Sequence, residues 1–364
     1  MAASFTTYPT TKTGSYEPIL YEVSIVVLGN DKPPALEIDV RINSASFRTL
    51  YIGTYKSVTQ VGADYVYIFE VDVSETVQAY FNNNLFFFDS DKTYPYTSID
   101  LTASTVLDAY EWQPDVNGVL TRNNSATRSN SRLFFNSLQF DMTDYTAATG
   151  RKFMTTNTDY RLSSQVTNLL SVFADTDNDV IRILGDTTTD INLTRDQINI
   201  INLNDYFTAS TSSLRAYIGT LDGVDFVQTG ELLTYTIISD ICEPIGLHYQ
   251  NELGTAEVFR FRDYEYDIQR EIQRDQFVSS DNLVRQSTAT IEKTIEVRRN
   301  GFFLNEWNNF KQVATSSVFY VEETAGTLEE VYANFRRTPF RSAEGEIDIA
   351  LDFTYSVEQK IFSN

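Results

Sequence analysis

Alternation is the feature that most limits how this chain can fold. Leu36, Ile38, Val40 and Ile42 fall on one side of a pleated strand, Glu37, Asp39 and Arg41 on the other. That period of two puts one face on a core and the other in water. The same β-branched and aromatic texture fills residues 21–28 and 65–71, the first closed by Gly29-Asn30-Asp31-Lys32-Pro33-Pro34. Such runs recur along the chain between turn clusters, while helix starts are scarce. The pattern disfavours βαβ units. It predicts an all-β fold of two or three β-sandwich-like domains with a few short helices.

Two segments predict helices. Asp72-Val73-Ser74-Glu75 fits a capping box, the Asp72 carboxylate accepting an N–H while Glu75 reaches back, and it leads into two turns over 76–81. Trp307, Phe310 and Val313 share a spacing of three within 305–314, as in a short amphipathic helix. Residues 169–173 could be helical with Leu162 and Val166. The turn chemistry of Asp175-Thr176-Asp177-Asn178-Asp179 and the strand-like run 180–184 favour a hairpin instead. Residues 247–261 predict a second hairpin, with Asn251-Glu252-Leu253-Gly254 as its turn and Gly254 at positive φ.

A chain of 364 residues has room for two or three domains. The divisions expected are an N-terminal β-sandwich over 1–112, a central β domain over 113–245 and a C-terminal β domain over 246–364. Residues 122–131, rich in Asn and Ser, predict an exposed loop or linker. Tyr51-Ile52-Gly53-Thr54 recurs as Tyr217-Ile218-Gly219-Thr220, each followed by a spacer with a Gly (Gly62, Gly230) and a strand. Duplication of a sandwich unit and accident in a Thr- and Tyr-rich chain both explain the echo.

Composition constrains chemistry mainly by what is scarce. There are 28 Lys and Arg against 50 Asp and Glu, a formal charge of −22, one His and one Cys. So acidic a chain repels phosphate backbones. It cannot close an internal disulfide or build a Cys/His zinc site alone. His248 has no nucleophile elbow around it and is expected as a structural strand residue. Cys242 is expected as a small buried apolar one. Asp175, Asp177 and Asp179 stand at positions 1, 3 and 5 of a calcium loop, but Val180 stands where that loop needs Gly and Asp186 where it needs Glu. A hairpin tip in water is expected there. Phosphate-cradling Gly loops are missing, and a sugar cleft would have only Trp112 and Trp307. A pair of carboxylates for glycoside hydrolysis is defined only in three dimensions. A non-enzymatic chain without metal or cofactor is expected.

Arg260, Arg262, Arg270, Arg274, Arg285, Arg298, Arg299, Arg336, Arg337 and Arg341 all lie in the last third. They predict either solvated strand faces with cross-strand ion pairs, or a seam where Arg336, Arg337 and Arg341 meet carboxylates of an adjacent copy. No apolar run approaches the ~20 residues of a spanning helix. The start lacks the basic and apolar regions of a signal peptide, so a soluble chain without membrane partners is expected.

Tyr249-Gln250-Asn251-Glu252-Leu253-Gly254-Thr255, followed by Val258-Phe259-Arg260-Phe261, resembles tail and ring proteins of tailed phages infecting Bacteroidota, including the crAss-like group. There an aromatic–x–N–x–L–G–G turn precedes an x–F–x–F strand; here Thr255 replaces the second Gly. Residues 316–322 and 347–355 are similar to their closing strands, so the likeness covers the last third best. It implies a virion protein assembled in the host bacterial cytoplasm, a tail ring or connector subunit. Its partners would be copies of itself and neighbouring tail or portal-vertex proteins, with DNA as passing cargo during ejection. A carbohydrate-binding or adhesin-type β-sandwich protein is the first alternative from the residues alone, and a β-rich hydrolase acting through two carboxylates the second.

Overall fold

The computed structural model describes residues 3–29, 31–83, 102–139, 141–157, 159–208, 210–238, 245–261, 265–278 and 284–302. Beyond these it describes 310–311, 313–314, 316, 319–324, 327–335, 340–341, 346–355 and 358–361. The architecture is all-β, in several sheets with few and short helical segments. Among the described residues, no helix is long and apolar enough to cross a membrane.

The first unit is a sandwich. One sheet has four strands, Ser4–Thr7, Leu20–Val27, Asp64–Asp72 and Ser57–Val61 in spatial order. The other centres on Ala35–Ile42, between Ala45–Ile52 and Thr102–Pro114. Val23, Ile25 and Phe69 from one sheet share a core with Leu36, Ile38, Val40 and Leu107 from the other. Helix Ser74–Asn83 adds Val77 and Phe81 to it. The Asp72 half of the expected cap is present, its Oδ1 accepting from Ser74 N at 2.9 Å and from Ile19 N at 3.1 Å.

One expectation fails in this unit and a second holds only in part. Glu37 is buried rather than in water, because Arg122 Nη2 at 2.7 Å and Trp112 Nε1 at 3.2 Å cover its carboxylate. The Asn- and Ser-rich stretch is largely exposed, as expected of a loop, but it is a strap and no linker. Leu120–Arg122, Thr127–Arg128 and Arg132–Phe135 pair in turn along Thr102–Pro114. Arg128 anchors the strap through Asp108 at 2.7 Å. Asn123 does so through Glu111 at 2.9 Å. The strand Thr102–Pro114 thus runs across position 112, and the sandwich draws strands from as far as Phe135.

The central unit has a five-stranded sheet, in the order Arg161–Leu162, Asp225–Ile237, Ser213–Asp222, Asp179–Leu184 and Thr188–Asn192. Leu169–Phe173 does not pair with Asp179–Leu184, as the sequence suggested, but with Ile198–Asn202. Residues of both sheets, Leu170 and Val172 with Ile181, Ile183 and Ile218, form one core. The acidic loop therefore crosses between sheets instead of reversing within one. The reason lies in Asp179, which is buried and not in water. Its Oδ2 accepts from Asp175 N at 2.7 Å and Thr176 N at 3.0 Å, folding the loop around its own carboxylate. The echo also falls on unlike places: Ala45–Ile52 is an edge strand, Ser213–Asp222 an interior one. Gly62 makes a two-residue hairpin at φ +67°, and its counterpart is Gly223 at φ +66°. Gly230 lies within a strand. Duplication has no support here.

The third unit is a nine-stranded antiparallel sheet. Its order is Ala256–Phe261, Ile245–Gln250, Phe319–Thr324, Thr327–Phe335, Glu346–Tyr355, Val284–Phe302 and Glu265–Val278, with two short strands beside the path. Phe310 and Val313, in the segment predicted helical, pack with Leu247, Phe261 and Phe353 on one face.

Candidate functional site

The predicted hairpin joins Ile245–Gln250 to Ala256–Phe261, with Tyr249 opposite Glu257. Asn251 Oδ1 accepts from Leu253 N and Thr255 N, each at 3.0 Å, which tightens the turn. Gly254 sits at φ +79°. Turns normally face solvent. Asn251, Leu253 and Thr255 are instead buried, because the turn is wedged between two other parts of the chain. On one side, Ser137 Oγ at 2.9 Å and Leu138 N at 2.8 Å donate to the Glu252 carbonyl. On the other, Asn251 Nδ2 at 3.2 Å and Thr255 Oγ1 at 2.9 Å donate to the Met154 carbonyl. Phe135, Met142, Met154, Phe173, Ile198, Leu253, Ala256 and Leu328 close an apolar core beneath it. All three units meet at this turn.

Two buried glutamates flank the same hairpin. Glu257 stands opposite Tyr249 and Glu322 opposite Gly246, so strand alternation sends them to opposite faces of the sheet. Glu257 accepts from Thr156 N at 2.6 Å, Thr156 Oγ1 at 2.7 Å, Tyr249 OH at 2.8 Å and Thr155 Oγ1. Glu322 accepts from Thr167 N at 2.9 Å and Thr167 Oγ1 at 2.7 Å. His248 Nε2 lies 2.9 Å from its Oε2. The central unit thereby grips the edge of the third sheet from both faces. Charge-assisted hydrogen bonds of this kind offset the desolvation of a buried carboxylate. Burial, then the neighbouring Glu257 carboxylate, pushes the Tyr249 phenol well above its ordinary pKa, so it remains a donor at neutral pH.

A buried ion pair locks the central unit internally. Arg151 and Asp179 pair at 2.7 Å and 3.1 Å, both out of contact with water. Arg151 Nη1 also reaches the Phe173 carbonyl at 2.7 Å. Burial alone would raise the Asp179 carboxyl. The Arg151 hydrogen bond and the two loop N–H groups outweigh it, and the group lies below the usual carboxylate range.

The sequence candidates are distributed as follows. His248 is a buried strand residue at the joint. Asp175 bonds Lys12 of the first unit, while Asp177 lies 3.6 Å from Arg195. Among the described residues, no group of three His, Cys, Asp or Glu could hold a metal ion. Trp112 bonds Glu37. Arg341 lies in Phe340–Arg341, opposite Glu346. Cys242, Trp307, Arg336 and Arg337 lie outside the described residues. The sequence did not single out Glu257, Glu322 or Arg151. One signal was available: Glu257 falls on the same alternate positions as Phe259 and Phe261, both buried. Between the first and central units runs an open groove of about 550 Å³, with Thr11, Lys12, Ser104, Ser131, Arg195 and Gln197 among its walls.

No family model and no curated protein matches the chain. Among solved structures, it is similar at 10% identity and a TM-score of 0.19 to a Ca2+-stabilized adhesin with which an Antarctic bacterium binds ice. That likeness covers 97% of this chain and 73% of the other. At so low a score, nothing about this chain follows from it.

Glu257→Ala should lower stability by about 2 kcal/mol or more, since Thr156 N–H and the Tyr249 hydroxyl lose their buried acceptor. Hydrogen exchange is the check. Amides 155–157 should speed up strongly, while those of Ala35–Ile42 keep their protection.

Proposed function

We propose that the chain is a non-enzymatic structural subunit of a phage tail, closing into a ring with copies of itself and joining tail layers around the DNA channel. The observation that carries this is the three-way joint. The buried side chains Glu257 and Glu322 take hydrogen bonds from Thr156 and Thr167 of the neighbouring unit, and His248 bonds Glu322 beside them. The residues that carry the resemblance, 249–261, are those that make the joint. A charge of −22 suits a wall past which duplex slides without sticking. The tail of the virion is the location this implies.

Sedimentation and low-resolution imaging of the purified chain test the proposal. A large monodisperse ring supports it; a monomer at every concentration, even with tail partners, overturns it. If Arg336 and Arg337 help form the seam, Arg336→Glu with Arg337→Glu should leave folded monomers, because removing one partner of a desolvated pair costs ~2–5 kcal/mol at each interface. A second reading, a carbohydrate-binding adhesin module, is favoured by the hydroxyl-lined groove at Thr11, Ser104 and Ser131. A monomer that shifts on glycan addition would support it.

A further inference from the structure

Two consecutive strands of the first sandwich stand largely bare: only Leu50 and Ile52 pack on the core, while Phe47 rests on Tyr80 and Tyr55, between the strands, on Tyr67. Ala45–Ile52 forms one edge of its sheet, and residues 45–49 and 51 are exposed. Ser57–Val61 forms an edge of the other sheet, and all five of its residues are exposed. Only residues 53–56 separate them, so both edges flank the same side of the sandwich. An edge strand normally buries one of its two faces; over 45–49 and 57–61 neither is buried. What stands bare is apolar. Phe47 is 37% exposed, Tyr51 73%, Tyr55 39%, Val58 42% and Val61 60%. The outer edge of Ala45–Ile52 has no strand partner among the described residues. Exposed edges of this kind are templates for pairing with another chain unless charge or proline blunts them.

The charge of this wall is the second observation. Residues 43–63 contain no Asp or Glu, in a chain of 364 with 50 of them, and they carry Arg48 and Lys56. Lys56 is held within its own unit by Glu22 and Glu70, each at 2.6 Å. Arg48 is therefore the cation that the wall presents.

We infer that the Ala45–Ile52 and Ser57–Val61 wall is a contact surface for a second copy of this chain, meeting a different and acidic face of that copy. The inference rests on the self-assembly proposed above and places one side of the contact. Wall against wall would bring two Arg48 guanidinium groups together. Wall against a face that carries the carboxylates in excess on this −22 chain brings opposite charges together. The contact is then heterologous, and it propagates from copy to copy until a rotation closes it.

The test combines Arg48→Glu with Tyr51→Glu, two exposed side chains whose replacement should leave the thermal melt unchanged. Wild type and variant are compared by sedimentation at low and high salt. Wild type should assemble, less so at high salt, with amides 45–61 protected in the assembled form. The variant should self-associate about 100-fold more weakly. Should the pair of changes disturb folding, Arg48→Glu alone gives the same comparison. A folded variant that assembles as wild type does would overturn this surface and leave the assembly proposal standing. A wild type that stays monomeric throughout would overturn both.

Discussion

Asp179→Ala is expected to destabilise the protein by about 3–5 kcal/mol, since it leaves the Arg151 guanidinium buried without its counter-charge. The loss extends beyond the pair. Asp175 N and Thr176 N surrender the acceptor around which the 175–179 loop folds. Urea unfolding at neutral pH measures the cost. Joint replacement, Arg151→Met with Asp179→Leu, should cost much less than the single change, because no charge is then stranded. Acid should do gradually what the substitution does at once. The folded carboxyl lies below its unfolded value, so the stability it contributes is present above the unfolded pKa of about 3.9. That contribution is lost as pH falls through the folded value. The variant should lack this part of the acid dependence.

Gly254→Val is the second large effect, expected at about 2–5 kcal/mol. A Cβ at this position would lie 2.0 Å from the Asn136 carbonyl oxygen, and backbone cannot yield as a flexible side chain does. The positive φ adds a cost of its own for any residue with a Cβ. The two terms can be separated experimentally. Gly62 has φ +67° and nothing within 4 Å of a Cβ, so Gly62→Ala should cost only about 1 kcal/mol. Gly254→Ala should cost clearly more than that. Equal shifts in melting temperature would mean that the 251–255 turn is not wedged against Asn136.

What was legible in the sequence follows from the range of each interaction. Strands 20–27, 35–42 and 64–72 were readable because alternation is local and each has one face on a core. The hairpin about Gly254 was readable for the same reason. Leu169–Phe173 was matched to the wrong strand because the nearer signal, an acidic turn, was stronger than its true partner. Ile198–Asn202 reads Ile-Asn-Ile-Ile-Asn, without clean alternation, and lies beyond two intervening strands. Glu37 looked solvent-facing and Glu257 was not singled out, because a carboxylate's burial depends on donors brought by distant chain. Arg122 and Thr156 supply them, and neither neighbours its acceptor in sequence. The joint was therefore visible as a turn but not as a joint.

The late position of that turn has a consequence for synthesis. Ser137 and the Glu252 carbonyl it bonds are 115 residues apart in the chain. At ~5–20 residues per second, translation leaves an interval on the order of ten seconds between them. Phe135, Met154 and Phe173 emerge within or before that interval, and the Leu253 and Ala256 that share their core arrive only at its end. Until Leu253 and Ala256 arrive, those side chains lack the partners that complete their core. Locking of the units, and whatever assembly depends on it, must await the C-terminal sheet.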